Sequence, residues 1–268
     1  MNYKWDAEEY SKNSGNQKRW ADGLLKQIDF KGNEIVLDIG CGDGKITALI
    51  REKTPRGVVL GIDSSKDMIG LAKGRYDGKY KNMSFKKADA CGLGFKNRFD
   101  IVFSNASFHW ISDHNSLLKC IYQSLRPGGN LFVQMGAKGN FCDIVATGNK
   151  LIRRKKWRKY FKNFIFPYNF FAASAYRKLL RKYGFKINTI HTFSQYMEYD
   201  EKEKFKKSLS TIWMPYMCKA PSGLRGQFLD ETVEQYLKDY PPNKNGWIRV
   251  KMNRLEFQAQ KIVSENGK

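Results

Sequence analysis

The chain has 268 residues, 41% hydrophobic and 28% charged, which excludes a disordered or collagen-like polypeptide. No run of about 18 apolar residues occurs, so no membrane-spanning helix is expected. Lys and Arg number 48 against 26 Asp and Glu, and the resulting net charge of +22 favours an acidic partner. Nucleic acid, an anionic membrane and an anionic small molecule all qualify, and a lysine-rich solvated surface would give the same balance. The N-terminal MNYKWDAEEY lacks the apolar core of a secretory signal and the Arg-rich, acid-poor composition of a transit peptide. The five cysteines (41, 91, 120, 142 and 218) are widely spaced with no CxxC. That usage fits a reducing cytoplasm better than a disulfide framework or a zinc cluster, and no metal site is expected.

Along the chain, strands and helices alternate. EIVLDIG (34–40) is a short apolar run ending in glycine, and KITALIREK (45–53) has helical spacing. GVVLGID (57–63) is a second apolar run, followed by a helix that Ser64 or Ser65 would cap. MSFKKADA (83–90) reads as a partly exposed strand and FDIVFSN (99–105) as a buried one. HNSLLKCIYQSL (114–125) is a helix stopped by Arg126-Pro127-Gly128-Gly129, and NLFVQMG (130–136) is a fifth strand. Such alternation predicts a doubly wound α/β fold with a parallel sheet, which takes ligands beyond the carboxyl ends of its strands.

The loop Asp38-Ile39-Gly40-Cys41-Gly42-Asp43-Gly44 lies at such an end, between a strand and a helix. Glycines there permit a tight turn and close backbone approach to a ligand. Asp63 ends the second strand, where an acid can accept from both ribose hydroxyls, and Asp89 follows the third, where it can accept from an adenine amino group. Singly, each Asp reads as a turn or helix cap. Three in register point to a nucleotide. The third glycine comes one position too early for a dinucleotide fingerprint, and the acids Asp38 and Asp43 would repel a pyrophosphate. They suit a ligand with a positive centre and an ammonium group, as in S-adenosylmethionine.

VLDIGCGDG, then LGID, ADA and LRPGG, resembles the class I S-adenosylmethionine-dependent methyltransferases over roughly 34–136. The resemblance implies a Rossmann-like sheet of seven strands with the last antiparallel, HTFSQYMEY (191–199) and WIRVKMNRLEFQAQKI (247–262) being candidates for the added strands. It also implies that Asp38, Gly40 and Gly42 line the methionine part and that Asp63 holds the ribose. Ser64 and Met68 would lie near the adenine, Asp89 and Ala90 at its edge, and Asn105 near the sulfonium.

Four further segments resemble enzymes that esterify carboxylates. Tyr10-Ser11-Lys12-Asn13-Ser14-Gly15-Asn16-Gln17 is similar to the Y-x-x-N-S-x-x-Q pattern of plant salicylate-type carboxyl methyltransferases. SNASFHWISD (104–113) and the run Trp157…Tyr168 are similar to insect juvenile hormone acid methyltransferases, and RVKMNRLEFQA resembles bacterial trans-aconitate methyltransferases. By that resemblance Gln17 and Trp110 donate hydrogen bonds to the substrate carboxylate; Tyr10 and Ser14 are expected to close over the cofactor, and Phe161 and Tyr168, as walls of an aromatic cap, to shape the acceptor pocket. Uncharged donors orient a carboxylate without quenching it, and a carboxylate with a pKa near 4 needs no general base. His109 is the candidate base for a hydroxyl or amine acceptor, with a packing histidine as the structural alternative.

From Ile144 to Met197 there is no acidic residue and there are thirteen Lys or Arg, eight of them between Lys150 and Lys162. The apolar positions 157, 161 and 164 share a face if the segment is helical. It could be an aromatic cap over the acceptor, a membrane-surface helix or a track for a nucleic-acid backbone. The expected organisation is a helical lid (1–30), an α/β core (31–140), a cap and helical insertion with one core strand (141–246) and a final strand (247–268). The expected activity is methyl transfer to a small-molecule acid. A nucleic-acid methyltransferase, a hydroxyl or amine methyltransferase and a non-catalytic nucleotide-binding protein are the alternatives, and the oligomeric state is open.

Overall fold

The computed structural model describes residues 15–263. Helix α1 spans Gly15–Leu25. Strand β1 (Ile35–Ile39) and helix α2 (Lys45–Lys53) follow, then β2 (Val58–Asp63) and α3 (Lys66–Tyr76). Next come β3 (Met83–Lys87), β4 (Phe99–Asn105), α4 (His114–Ser124) and β5 (Leu125–Gly136). The rest of the chain forms α5 (Cys142–Ile152), α6 (Ala173–Lys182), β6 (Phe185–Tyr199), α7 (Lys202–Ile212), α8 (Met214–Lys219), α9 (Arg225–Asp239) and β7 (Ile248–Lys261).

The seven strands form one sheet in the order β3-β2-β1-β4-β5-β7-β6. The first five pair in parallel, and β7 runs antiparallel to β5. The strand order reverses between β1 and β4, which opens a crevice at their carboxyl ends. Alternation along the strands builds two cores. Val36, Val59, Phe103 and Phe132 pack with α1, α2 and α3 on one face. Leu37, Ile39, Val102, Leu131 and Val133 pack with α4 and α6 on the other. Strands β1, β4 and β5 are lined by apolar residues on both faces, as strands covered by helices on both sides require, whereas β3 buries only Met83 and Phe85, on one face.

Local signals set several boundaries. Ser65, one of the two expected caps, accepts from the Met68 N–H at 3.3 Å to start α3. The Arg126–Gly129 breaker is a bulge inside a longer β5: Phe99 pairs with Leu125 and Ile101 already with Asn130. Strand β6 starts at Phe185, six positions before the expected run, because Ile187 and Ile190 pack against the sheet core.

The chain divides into two compact units, the cuts falling inside β6 and β7. The sheet unit holds the described residues through Lys138, Tyr168–Phe193 and those from Arg254 on; the helical unit holds Gly139–Pro167 and Ser194–Asn253. The helical unit has an aromatic core. Trp157 and Phe161 lie 5.0 and 5.1 Å from Phe228, and Trp213 stacks on Tyr216 at 4.3 Å. The Trp157 indole donates to Glu231 at 2.7 Å.

Residues 153–163 are a succession of turns and bends, so the helix that would put 157, 161 and 164 on one face does not form. Like charges four residues apart (Arg154 and Arg158, Lys155 and Lys159, Arg158 and Lys162) oppose a helix there. Asn163, in the left-handed region at φ 57°, interrupts any continuation. Among the described residues, no helix is long and apolar enough to cross a membrane.

Candidate active site

The carboxyl ends of β1, β2, β3 and β4 bring most of the expected cofactor residues together in the sheet unit. The loop after β1 is closed by hydrogen bonds from Gly40 N–H and Cys41 N–H to the Ile62 carbonyl, at 2.8 and 3.0 Å. Gly40 has φ +73°, and a Cβ there would lie 2.0 Å from the Ser107 hydroxyl, so only glycine fits. Gly42 differs: a Cβ at its position would meet open space within 4 Å, leaving room for a ligand against the backbone.

Asp63 ties the loop after β1 to the turn after β2. One carboxylate oxygen accepts from the Gly42 N–H at 3.1 Å and the other from the Ser65 N–H at 2.8 Å. Burial raises its pKa, and its backbone donors oppose that. Asp38 is 2% exposed and accepts from the Thr47 hydroxyl at 2.7 Å. Burial pushes its pKa up to about 7, opposed by Thr47 and reinforced by the charge of Asp63. A buried carboxylate with so high a pKa lacks a cation, and the ammonium or sulfonium of the expected cofactor would supply one. The open face at Gly42 and the Asp38–Asp63 pair therefore fit S-adenosylmethionine.

Asp43, the other acid of the loop, has ion pairs with Lys45 and Arg75. Ser64 is exposed beside Asp63, and Met68 is buried in the first turn of α3. Asp89 is exposed and caps the turn Ala90–Gly92, accepting from the Cys91 N–H at 2.9 Å, while Ala90 is buried. Asn105 ends β4 opposite Gln134 of β5. Tyr10 and Ser14 lie outside the described residues, as does the side chain of Gln17, whose backbone is in α1.

After β4, Phe108–Trp110 forms a single 3-10 turn. The irregular segment 168–170 lies on it: the Asn169 N–H donates to the His109 carbonyl at 2.9 Å, and the Asn169 amide to the Ile111 carbonyl at 3.0 Å. Tyr168 meets Trp110 edge-on with ring centroids 4.2 Å apart, and both are part-exposed. Phe161 belongs to the helical unit, where it is 5% exposed against Phe228, Phe164 and Tyr216.

His109 is 6% exposed among Trp110, Tyr168 and Phe170. Burial lowers its pKa to about 3, with Arg254 and His114 adding to the effect. Its Nδ1 accepts a long 3.4 Å contact from the Gly136 N–H. Burial thus favours its neutral form. His114 is likewise buried, with Nδ1 3.0 Å from the Tyr176 hydroxyl and a pKa lowered by burial to about 4.

Sequence reasoning did not single out Thr47, Ser107 or Asn169. Thr47 lies at an inward position of α2, but nothing in the sequence pairs it with Asp38. Ser107 and Asn169 act through backbone geometry that only the folded loops create.

Residues 36–129 match the methyltransferase domain family. Trans-aconitate 2-methyltransferase of Rhizobium leguminosarum bv. trifolii is 28% identical over 258 residues, covering 96% of this chain and 99% of the relative. The fold is similar to that of YcgJ from Bacillus subtilis, with a TM-score of 0.64, 18% identity, and coverage of 91% of this chain and 99% of YcgJ. It is similar too to geranyl diphosphate methyltransferase in complex with S-adenosylmethionine, at a TM-score of 0.56 and 15% identity, over 91% of this chain and 85% of that one. With the domain match, the sheet order and the acid-bearing glycine loop in agreement, the chain is a class I S-adenosylmethionine-dependent methyltransferase, similar over nearly its whole length to trans-aconitate methyltransferase.

Proposed function

We propose that the enzyme methylates a carboxylate of a small-molecule acid by single displacement. The state of His109 carries this reading. A hydroxyl or ammonium acceptor must lose a proton, and a buried histidine with a pKa of about 3 is a poor base for that at neutral pH. A carboxylate arrives ionised. The near full-length likeness to trans-aconitate 2-methyltransferase supports the same acceptor class.

The cofactor supplies an electrophilic methyl group on a sulfonium. The contribution of this chain is placement. Asp38, Asp63, Gly40 and Gly42 hold the cofactor, with Ser64, Met68, Asp89 and Ala90 around its nucleoside and Asn105 at the end of β4. Trp110 offers an indole N–H beside Tyr168, and Gln17 in α1 offers an amide; both orient the acceptor oxygen without a salt bridge. Fixing an in-line geometry is worth roughly 7–11 kcal/mol of barrier.

The test uses cofactor labelled in the methyl group, with trans-aconitate and a panel of mono- and dicarboxylic acids as acceptors. Treating the product with base should release volatile methanol, since methyl esters hydrolyse. Label that stays in a non-volatile small molecule would replace the carboxylate with a hydroxyl or amine acceptor.

A further inference from the structure

We propose that the turn segment 153–165 of the helical unit is a docking surface for anionic lipid membranes. Three of the eight cations in the basic run are satisfied within the unit. Lys150 pairs with Asp239 at 2.8 Å, and Arg154 and Lys156 both bond to groups on α9. The other five (Arg153, Lys155, Arg158, Lys159 and Lys162) are exposed and have no acidic partner among the described residues. The sequence around them offers none, since no acid occurs from Ile144 to Met197. Unpaired cations this close together repel one another, and an anionic surface relieves that repulsion.

Beside them stands Ile165, 82% exposed, the most exposed of the large hydrophobic residues described. The turns are held by aromatics that point inward: Trp157 is fully buried and Phe161 nearly so. The segment therefore directs its cations and one aliphatic side chain outward from a fixed base. Stable attachment to a membrane takes two signals, a polybasic patch and an apolar group, and this segment has both. Nucleic acid is the less suitable partner. Binding to single strands relies on exposed aromatic faces that stack on bases, and here Trp157 and Phe161 are used in the core while the exposed apolar group is an isoleucine. The inference does not depend on which acceptor the enzyme methylates.

The test is co-sedimentation of the full chain with phosphatidylcholine vesicles and with vesicles containing phosphatidylserine. Binding should require phosphatidylserine and should weaken steeply as salt shortens the Debye length from about 10 Å to about 3 Å. The triple variant Arg158→Gln/Lys159→Gln/Lys162→Gln should bind roughly a hundredfold more weakly, at about fivefold per cation. Ile165→Ser should cost about tenfold and leave the salt dependence unchanged. All these side chains are exposed, so circular dichroism should show intact folds. The control variant Lys73→Gln/Lys79→Gln/Lys81→Gln removes the same charge from another exposed region and should bind like the parent. Equal loss in the control would reduce the effect to net charge and overturn the proposal. So would equal binding to both vesicle types, no binding to either, or tighter binding to an RNA homopolymer that the first triple variant abolishes.

Discussion

The carboxyl ends of β1 and β2 and the segment 153–165 each gather several like charges, and they treat them oppositely. At the strand ends the charges are acids: Asp38 is 2% exposed and Asp63 is held by two backbone N–H groups. In the segment the charges are cations that stand in solvent, on turns fixed from beneath by Trp157. A buried charge acts on one ligand at one distance and shifts its own pKa until that ligand arrives. An exposed cluster has no such specificity, and it acts on surfaces, through a field that salt screens. The first arrangement suits a compact cationic ligand, and the second an extended anion.

The contrast is broken most severely at Trp157. If this indole is what holds the turns, Trp157→Ala should cost about 3–5 kcal/mol of stability, because it empties a buried site and strips Glu231 of a donor. Denaturant unfolding measures this, and a cost below about 1 kcal/mol would mean that the turns support themselves. A smaller effect is expected at Asp63. Asp63→Ala should weaken cofactor binding by about 1–3 kcal/mol through loss of a charge-assisted hydrogen bond. Unchanged affinity by calorimetry would remove Asp63 from the ribose assignment.

The smallest effect sharpens the comparison through pH. The Asp38 carboxyl has a pKa of about 7 in the free protein. A cationic ligand favours its ionised form, so cofactor affinity should rise by roughly tenfold from pH 6 to pH 8 and then level off, with a proton released on binding near pH 7. The stability of the free protein runs the other way. The folded carboxyl binds its proton more tightly than the unfolded one, so stability falls as pH rises from about 4 to about 7. Calorimetry in buffers of different ionisation enthalpy reads the released proton. A pH-independent affinity without proton release would mean that Asp38 does not face the positive charge.

Much of the sheet was legible because its signals are local. KITALIREK and FDIVFSN coincide with α2 and β4 residue for residue, since apolar period and glycine punctuation act within a few positions. The positions expected to hold the cofactor, Asp38, Gly40, Gly42 and Asp63, come close together because a strand end fixes where the next residues must go. The segment around Trp157 was not. Its aromatic spacing allows a helix, and the decision went to Phe228 and Glu231, more than sixty residues away in sequence.

The sequence by itself determined the alternation of strands and helices, the glycine loop with its acids, and the unbroken basic run, because each depends on neighbours along the chain. Only the tertiary structure decided that burial favours the neutral form of His109, that Asp38 carries a pKa near 7, and that five of the eight cations have no acidic partner among the described residues. Those are properties of burial and of distance between remote residues, and a linear pattern contains neither.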